Sequence, residues 1–247
     1  MIAVTAGGKR FTNEGNSYHD FVQAMVAACA GKDEVKAYLI CDHETLRRYG
    51  LGAVAPFPLP LGRHLRTGYL LKGRTLRELA NKAGVDPTAL EQTVREVNVH
   101  AREGKDPAFG KGSTAYNRYQ GDALHAPNPC IKPIEKGPFY AIKVVVGDLG
   151  TYAGLTTDEH SRVLSSDRQP IPGLYAVGND IASIMGGNYP GAGITLGPAL
   201  TFGHIAGCHL AGAPTGLGAD QPADQDSRRR SGPSVEDDGT VVMGEVA

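Results

Sequence analysis

The chain has almost no net charge. Its 25 Lys and Arg face 26 Asp and Glu, a formal charge of −1, so no electrostatic field argues for nucleic acid or an anionic membrane surface as partner. It has no run near the ~20 consecutive apolar residues of a membrane-spanning helix. The opening MIAVTAGGKRFTNEG has no apolar signal core. Four cysteines, Cys29, Cys41, Cys130 and Cys208, form no C-x-x-C pair and match no zinc spacing. His19, His125, His204 and His209 show no ligand pattern, and His204 and His209 lie five apart, off one helix face. No metal is expected, and no internal repeat is visible. These absences point to a cytoplasmic protein with reduced, structural thiols and no membrane span.

The composition, 41% hydrophobic and 21% charged in 247 residues, suits one or two soluble domains. Glycine is abundant at 33 residues, many of them between 147 and 207, where close backbone approach is expected. From Asp20, FVQAMVAACA has helical spacing and stops at Gly31; VKAYLICD (35–42) reads as a strand, and 42–48 as a polar helical turn. Pro56, Pro58 and Pro60 make 54–68 extended or irregular. Thr75 and Glu78 form a capping box ahead of a helix ended by Gly84, and Asp86-Pro87 opens a second helix ended by Gly104. KDPAFGKGSTAYNRYQGD is expected to be a loop, and FYAIKVVV (139–146) a buried strand. Asp106, Arg118 and Asp122 are expected to be structural polar groups. Gly203 and Gly207, four apart on the helix from 194 to 212, suggest tight helix-to-sheet packing.

The segment Leu174–Leu210 holds the most chemistry. A strand LYAVG brings Asp180 to a loop at its C-terminal end, where a carboxylate can accept from a polyol hydroxyl. Gly186, Gly187, Gly191 and Gly193 then remove side chains, so a flat ligand can meet the backbone. The helix behind aims free N–H groups and its positive dipole end at that place. The same pattern suits a glycine-rich turn packed on a sheet, and spacing leaves both readings open.

The stretch PIPGLYAVGND with GGNYPGAGITLGPALTFGHIAG resembles the second FAD-binding segment of the fumarate reductase/succinate dehydrogenase flavoprotein superfamily, and within it the 3-ketosteroid Δ1-dehydrogenases. GLYAVGND is similar to the G-L-[YF]-A-[AV]-G-[END] motif, and GKRFTNE to G-x-R-F-x-N-E. Between them, GKDPAFGKG and YNRYQGD resemble cap-domain segments. The pieces keep the family order over residues 7–212.

The resemblance implies an α/β fold: an α+β substrate-capping and catalytic domain, partial, at 1–147, and the C-terminal portion of a Rossmann-like FAD-binding domain at 148–212. A disordered tail at 213–247 follows from its Gly, Pro, Ser and Asp content. FAD is the implied cofactor, contacted by Gly178, Asp180, Gly187, Asn188 and Gly191, with the helix start Ile194, Thr195 and Leu196 under the flavin ring. Family members carry G-x-G-x-x-G after a first strand, to seat the pyrophosphate. None precedes residue 147, which leaves three readings: one subunit of a split enzyme whose partner chain supplies the N-terminal half, a truncated reading frame, or a binding module; without that half the chain is expected to be inactive.

Fumarate reductases of this superfamily bind a dicarboxylate with arginines at the positions of Tyr18 and Tyr189. Two phenols in place of two cations remove charge-assisted partners and favour a neutral ketone. The resemblance to N-Y-P-G-x-G makes Tyr189 and Gly193 N–H the holders of a ketone oxygen and Tyr18 the base that takes the α-proton. The implied activity is desaturation of a 3-ketosteroid or similar cyclic ketone. The alternatives are a fumarate-reductase-like enoate reductase, or an inactive fragment or partner subunit. Tyr152, in GTYAGL, lines the site or simply packs.

Overall fold

The computed structural model describes residues 1–57, 59–148 and 150–216. It divides into two compact units, Met1–Gly154 with Ala182–Thr195, and Leu155–Ile181 with the chain from Leu196 onward. The boundary anticipated at 147/148 falls short of this division, and Ala182–Thr195 groups with the first unit. Of the anticipated tail, residues 217–247 lie outside the described residues.

The first unit is built on four strands, β1 (Ile2–Val4), β2 (Lys36–Asp42), β3 (Leu71–Gly73) and β4 (Phe139–Val145), in the order β1-β2-β4-β3 and wholly antiparallel. Period-two alternation decides what each face carries. Tyr38, Ile40, Phe139 and Ala141 join one core cluster, which the helices α4 (Leu76–Ala83) and α5 (Pro87–Ala101) complete with Leu79, Ala80, Leu90 and Val94. Cys41, Tyr140 and Ile142, the intervening residues, join another cluster with Leu46, Leu51, Val54 and Leu70.

The helix ends follow local chemistry. Thr75 Oγ accepts from Glu78 N–H at 3.1 Å, while the Glu78 carboxylate accepts from Arg74 N–H at 2.8 Å, one residue beyond the anticipated target. Gly84 ends α4 in the left-handed conformation, which a residue with a Cβ adopts at a cost. Asp86 caps α5, which stops at Ala101, ahead of the anticipated Gly104. The first helix, α1, spans Tyr18–Ala28, starting and ending earlier than its apolar pattern suggests, because Ser17 caps it by accepting from Asp20 N–H. The second, α2 (His43–Tyr49), is capped by Asp42. Two short helices stand where irregular chain is anticipated: α3 (Gly62–Arg66), beginning just past Pro60, and α6 (Ala115–Tyr119), capped by Thr114.

In the second unit β5 (Arg162–Leu164) pairs antiparallel with β6 (Pro170–Tyr175). The strand anticipated at 174–178 therefore lies earlier. After Tyr175, Ala176 N–H bonds Ser161 O at 3.1 Å, and Gly178–Asp180 forms a single 3₁₀ turn. The helix α7 (Leu196–Ala211) adds Phe202 to a small core of Val163, Ala176 and Ile181. Helices and sheets together place the chain in the α/β class, and no helix among the described residues is long and apolar enough to cross a membrane.

Leu79 is fully buried between α4 and the sheet. Leu79→Ala is expected to destabilise the first unit by about 2–5 kcal/mol, measured as a shift in urea midpoint with unchanged slope; a change within error would mean that this core tolerates the void.

Candidate active site

The loop between β1 and α1 is fixed by buried charge. Arg10 donates to both oxygens of Glu14 at 2.8 and 2.7 Å and to both oxygens of Asp106 at 2.8 Å each. Lys111 reaches Glu14 at 3.2 Å. The Arg10, Glu14 and Asp106 side chains are 6%, 1% and 8% exposed. Burial pushes the Glu14 carboxyl upward, but Lys111 and Arg10 outweigh it and hold the group at about 2, below its ordinary 4.5.

The next turn of chain is held by amides. Asn117 Oδ1 accepts from Asn13 Nδ2 at 2.9 Å, and Asn117 Nδ2 donates to Gly15 O at 2.7 Å and Asn16 Oδ1 at 3.1 Å. Ser17 then caps α1, and Tyr18 is its first residue. Half-exposed Tyr18 donates its hydroxyl hydrogen to the hydroxyl of Tyr189, which is 8% exposed. The two rings are 4.6 Å apart and tilted by 47°. Tyr152 meets Tyr189 edge-on at 6.0 Å, and Tyr152 O accepts from Ser183 N–H at 3.2 Å. The bond to Tyr189 is the main reason the Tyr18 phenol is pushed up to about 12; burial and the nearby phenols of Tyr189, Tyr152 and Tyr116 add to it. Burial also raises Tyr152.

Of the residues singled out from sequence, Tyr18, Gly187, Asn188, Tyr189, Gly191, Gly193, Ile194 and Thr195 lie in the first unit, and Gly178, Asp180 and Leu196 in the second. Tyr18 and Tyr189 are in direct contact. Gly187 (φ 84°) and Gly193 (φ 91°) are exposed, left-handed and open, with no atom within 4 Å of where a Cβ would stand. Exposed Asn188 braces its own turn by donating to Met185 O at 3.3 Å. Ile194 is buried and Thr195 partly so. In the second unit Gly178 has a packing reason of its own: at φ 65°, a Cβ there would stand 3.1 Å from the Ala199 methyl. Asp180 is exposed on the 3₁₀ turn, and Leu196, also exposed, starts α7.

Asp106, Arg118 and Asp122 are tied into the structure, the last two through Gly112 O and through Tyr49 and Arg48. Gly203 and Gly207 are open on their Cβ sides, with nothing within 4 Å, so the tight packing anticipated there is not made among the described residues. Tyr116 was not anticipated. Its ring lies 3.3 Å from a Cβ position on Gly191, and its only sequence signal is its place in YNRYQGD. A separate cavity of about 580 Å³ in this unit, lined by Ile2, Lys9, Thr93, Val97 and Phe109 among others, includes neither phenol. Among the described residues no group of three or more His, Cys, Asp or Glu could hold a metal ion.

Residues 1–196 match the model of the FAD binding domain family. The chain belongs to that family. It is 50% identical over 227 residues to 4-oxocyclohex-2-ene-1-carboxylate 5-dehydrogenase of Sinomonas cyclohexanicum, a match covering 90% of this chain and 38% of the relative. It is 43% identical over 220 residues to 4-oxocyclohexanecarboxylate 2-dehydrogenase of the same organism, covering 87% and 37%. Among solved structures, 3-ketosteroid Δ1-dehydrogenase from Sterolibacterium denitrificans, in complex with 1,4-androstadiene-3,17-dione, matches with a TM-score of 0.79 and 43% identity over 85% of this chain and 38% of that one. The chain thus spans under two fifths of the length of these relatives.

FAD is the cofactor of the family, and the residues present are compatible with its ring. Gly186, Gly187 and Gly193 leave bare backbone facing open space. Ile184 and Met185 beside them offer exposed apolar surface.

The Glu14 carboxyl titrates lower in the fold than unfolded. Its contribution, on the order of 3 kcal/mol, is therefore present above about 4.5 and lost as pH falls toward about 2. Glu14→Gln should destabilise the neutral-pH protein by about that amount and flatten the decline of melting temperature between pH 5 and 2. A parallel decline in both proteins would show that Glu14 does not carry it.

Proposed function

We propose that the chain is the ketone-handling part of an FAD-dependent dehydrogenase that desaturates a cyclic ketone, a 3-ketosteroid or a smaller oxo-ring. The contact between Tyr18 and Tyr189 carries this reading. Tyr189 accepts a hydrogen from Tyr18, which leaves its own hydroxyl hydrogen to offer a carbonyl oxygen. The N–H of Gly193, in the open loop, is the second donor. Two donors on a ketone oxygen stabilise the charge that develops there and acidify the neighbouring C–H. Tyr18, once ionised by releasing its hydroxyl proton to the solvent that it half faces, takes that α-proton. FAD, when bound, supplies the hydride acceptor, with Gly187, Asn188, Gly191, Ile194, Thr195 and Leu196 against its ring and Gly178 and Asp180 toward its ribityl chain. The relatives named for oxidising 4-oxocyclohexane carboxylates and 3-oxosteroids support a ring ketone as the substrate class.

Tyr18 is a poor base as it stands. At about 12, only about one phenol in 10⁵ is ionised at pH 7. The largest contribution to that value is its bond to Tyr189, in which Tyr18 is the donor. That bond persists while Tyr189 donates to a ketone, so lowering the Tyr18 phenol falls to groups outside these residues. In this reading the rest of the enzyme, including the seat for the ADP part of FAD, comes from outside these 247 residues.

In enzyme completed with that half, Tyr189→Phe should lower kcat/KM for a ring ketone roughly 30- to 1000-fold, the 2–4 kcal/mol of one oxyanion donor, read as ketone-dependent dye reduction. Unchanged turnover would remove Tyr189 from the site. The purified chain alone should be colourless after mixing with FAD and desalting; a tightly held flavin spectrum would contradict the need for the missing half.

A further inference from the structure

We infer that the short helix α6 is the clamp that sets the distance between the two phenols, with Asn117 as the positioning residue for Tyr18 and Tyr116 as the positioning residue for Tyr189. Two loops far apart in sequence deliver the pair. One ends Asn13-Glu14-Gly15-Asn16-Ser17-Tyr18, and the other carries Tyr189-Pro190-Gly191. Consecutive residues of α6 touch both.

Asn117 is 1% exposed and its amide is fully used. Its oxygen accepts from Asn13 Nδ2 and Gly112 N–H, and its nitrogen donates to Gly15 O and Asn16 Oδ1. An amide offers two donors and two acceptor sites; three of the four hold the loop that ends at Tyr18, and the fourth, to Gly112 N–H, ties the amide to the segment before α6. On the neighbouring residue, the Tyr116 ring lies against Gly191. The two contacts have one signature, a glycine whose missing Cβ makes room for α6. A Cβ on Gly15 would stand 3.1 Å from Asn117 Cγ, and one on Gly191 would stand 3.3 Å from the Tyr116 ring. Neither glycine is among the left-handed ones, so close approach, not backbone conformation, accounts for both. The clamp holds the phenols within hydrogen-bond reach when nothing separates them, and it confines how far substrate can part them. It deepens the proposed function, because it matters to catalysis only if Tyr18 and Tyr189 do the chemistry. The geometry itself stands or falls without any turnover.

The test uses the chain as it is, with tyrosine-labelled protein and ring-to-ring NOEs between Tyr18 and Tyr189 at neutral pH, assigned with Tyr18→Phe and Tyr189→Phe. Tyr116→Ala should lose the NOE while amide signals from β1 to β4 stay in place, and Tyr116→Phe, which keeps the ring, should retain it. Gly191→Ala is the milder second variant, should Tyr116→Ala disturb α6; its methyl would meet the Tyr116 ring at 3.3 Å, should push ring and loop apart by a few tenths of an ångström, and should weaken the NOE measurably. A full NOE in folded Tyr116→Ala, or in Gly191→Ala, would overturn the clamp. Equal loss in Tyr116→Phe and Tyr116→Ala would also overturn it, because the hydroxyl and not the ring would then be acting. Dye reduction in completed enzyme reads the functional proposal separately: an intact clamp with inert Tyr189→Phe would sink that proposal alone.

Discussion

Arg10 sits between Glu14 and Asp106 with almost no water on any of the three side chains. Burying charge is expensive unless every charge is paired and every hydrogen-bonding position filled. Here Arg10 makes two bonds to each carboxylate, Lys111 adds a second cation, and Ala3 N–H donates to Glu14 at 2.9 Å. Two cations thus balance two anions. The geometry has little freedom, since a shift that lengthens one pair strands another charge in a poorly solvated place. The chain that leaves this cluster runs straight into Asn13, Ser17 and Tyr18, so a phenol half-exposed to solvent inherits the rigidity of a buried ion network.

Rigidity below the phenols contrasts with openness beside them. Gly186, Gly187 and Gly193 face empty space, and Ile184 and Met185 are exposed. In the second unit α7 is apolar nearly all round, yet Ala206 is its only buried residue, while Leu196, Leu200 and Leu210 are each about two-thirds exposed or more. A helix of that pattern is normally covered, and apolar surface left to water forgoes about 25 cal/mol per Å². Among the described residues, each unit thus leaves apolar side chains exposed, in a chain that spans under two fifths of its relatives.

What could be read from sequence was what short-range chemistry determines. Thr75 and Asp86 announce α4 and α5 because each caps a helix through a bond to a residue three positions on. The runs at β2 and β4 are long enough for alternation to register. β1 and β3, three residues each, and α3 and α6, five each, are too short for any period to show. The buried ion network was invisible for another reason. Arg10 and Asp106 are 96 residues apart, and nothing local to either says that they meet. Tyr18 and Tyr189 were legible through motif resemblance, and 171 residues separate them, so their contact is information that only the fold supplies. Tyr116 illustrates the limit: its role comes from where it touches Gly191, not from its own surroundings in sequence.

The same electrostatics explains why phenols suit these two positions. Tyr189 is nearly buried, and a neutral hydroxyl there needs one partner, which Tyr18 provides. A guanidinium at 189 would carry a full charge into that place and would need carboxylates of its own. A phenol at 189 avoids that cost, because its hydroxyl is neutral and is already bonded to Tyr18. In the function proposed above, that neutrality matches an oxo group whose charge appears only as the reaction proceeds.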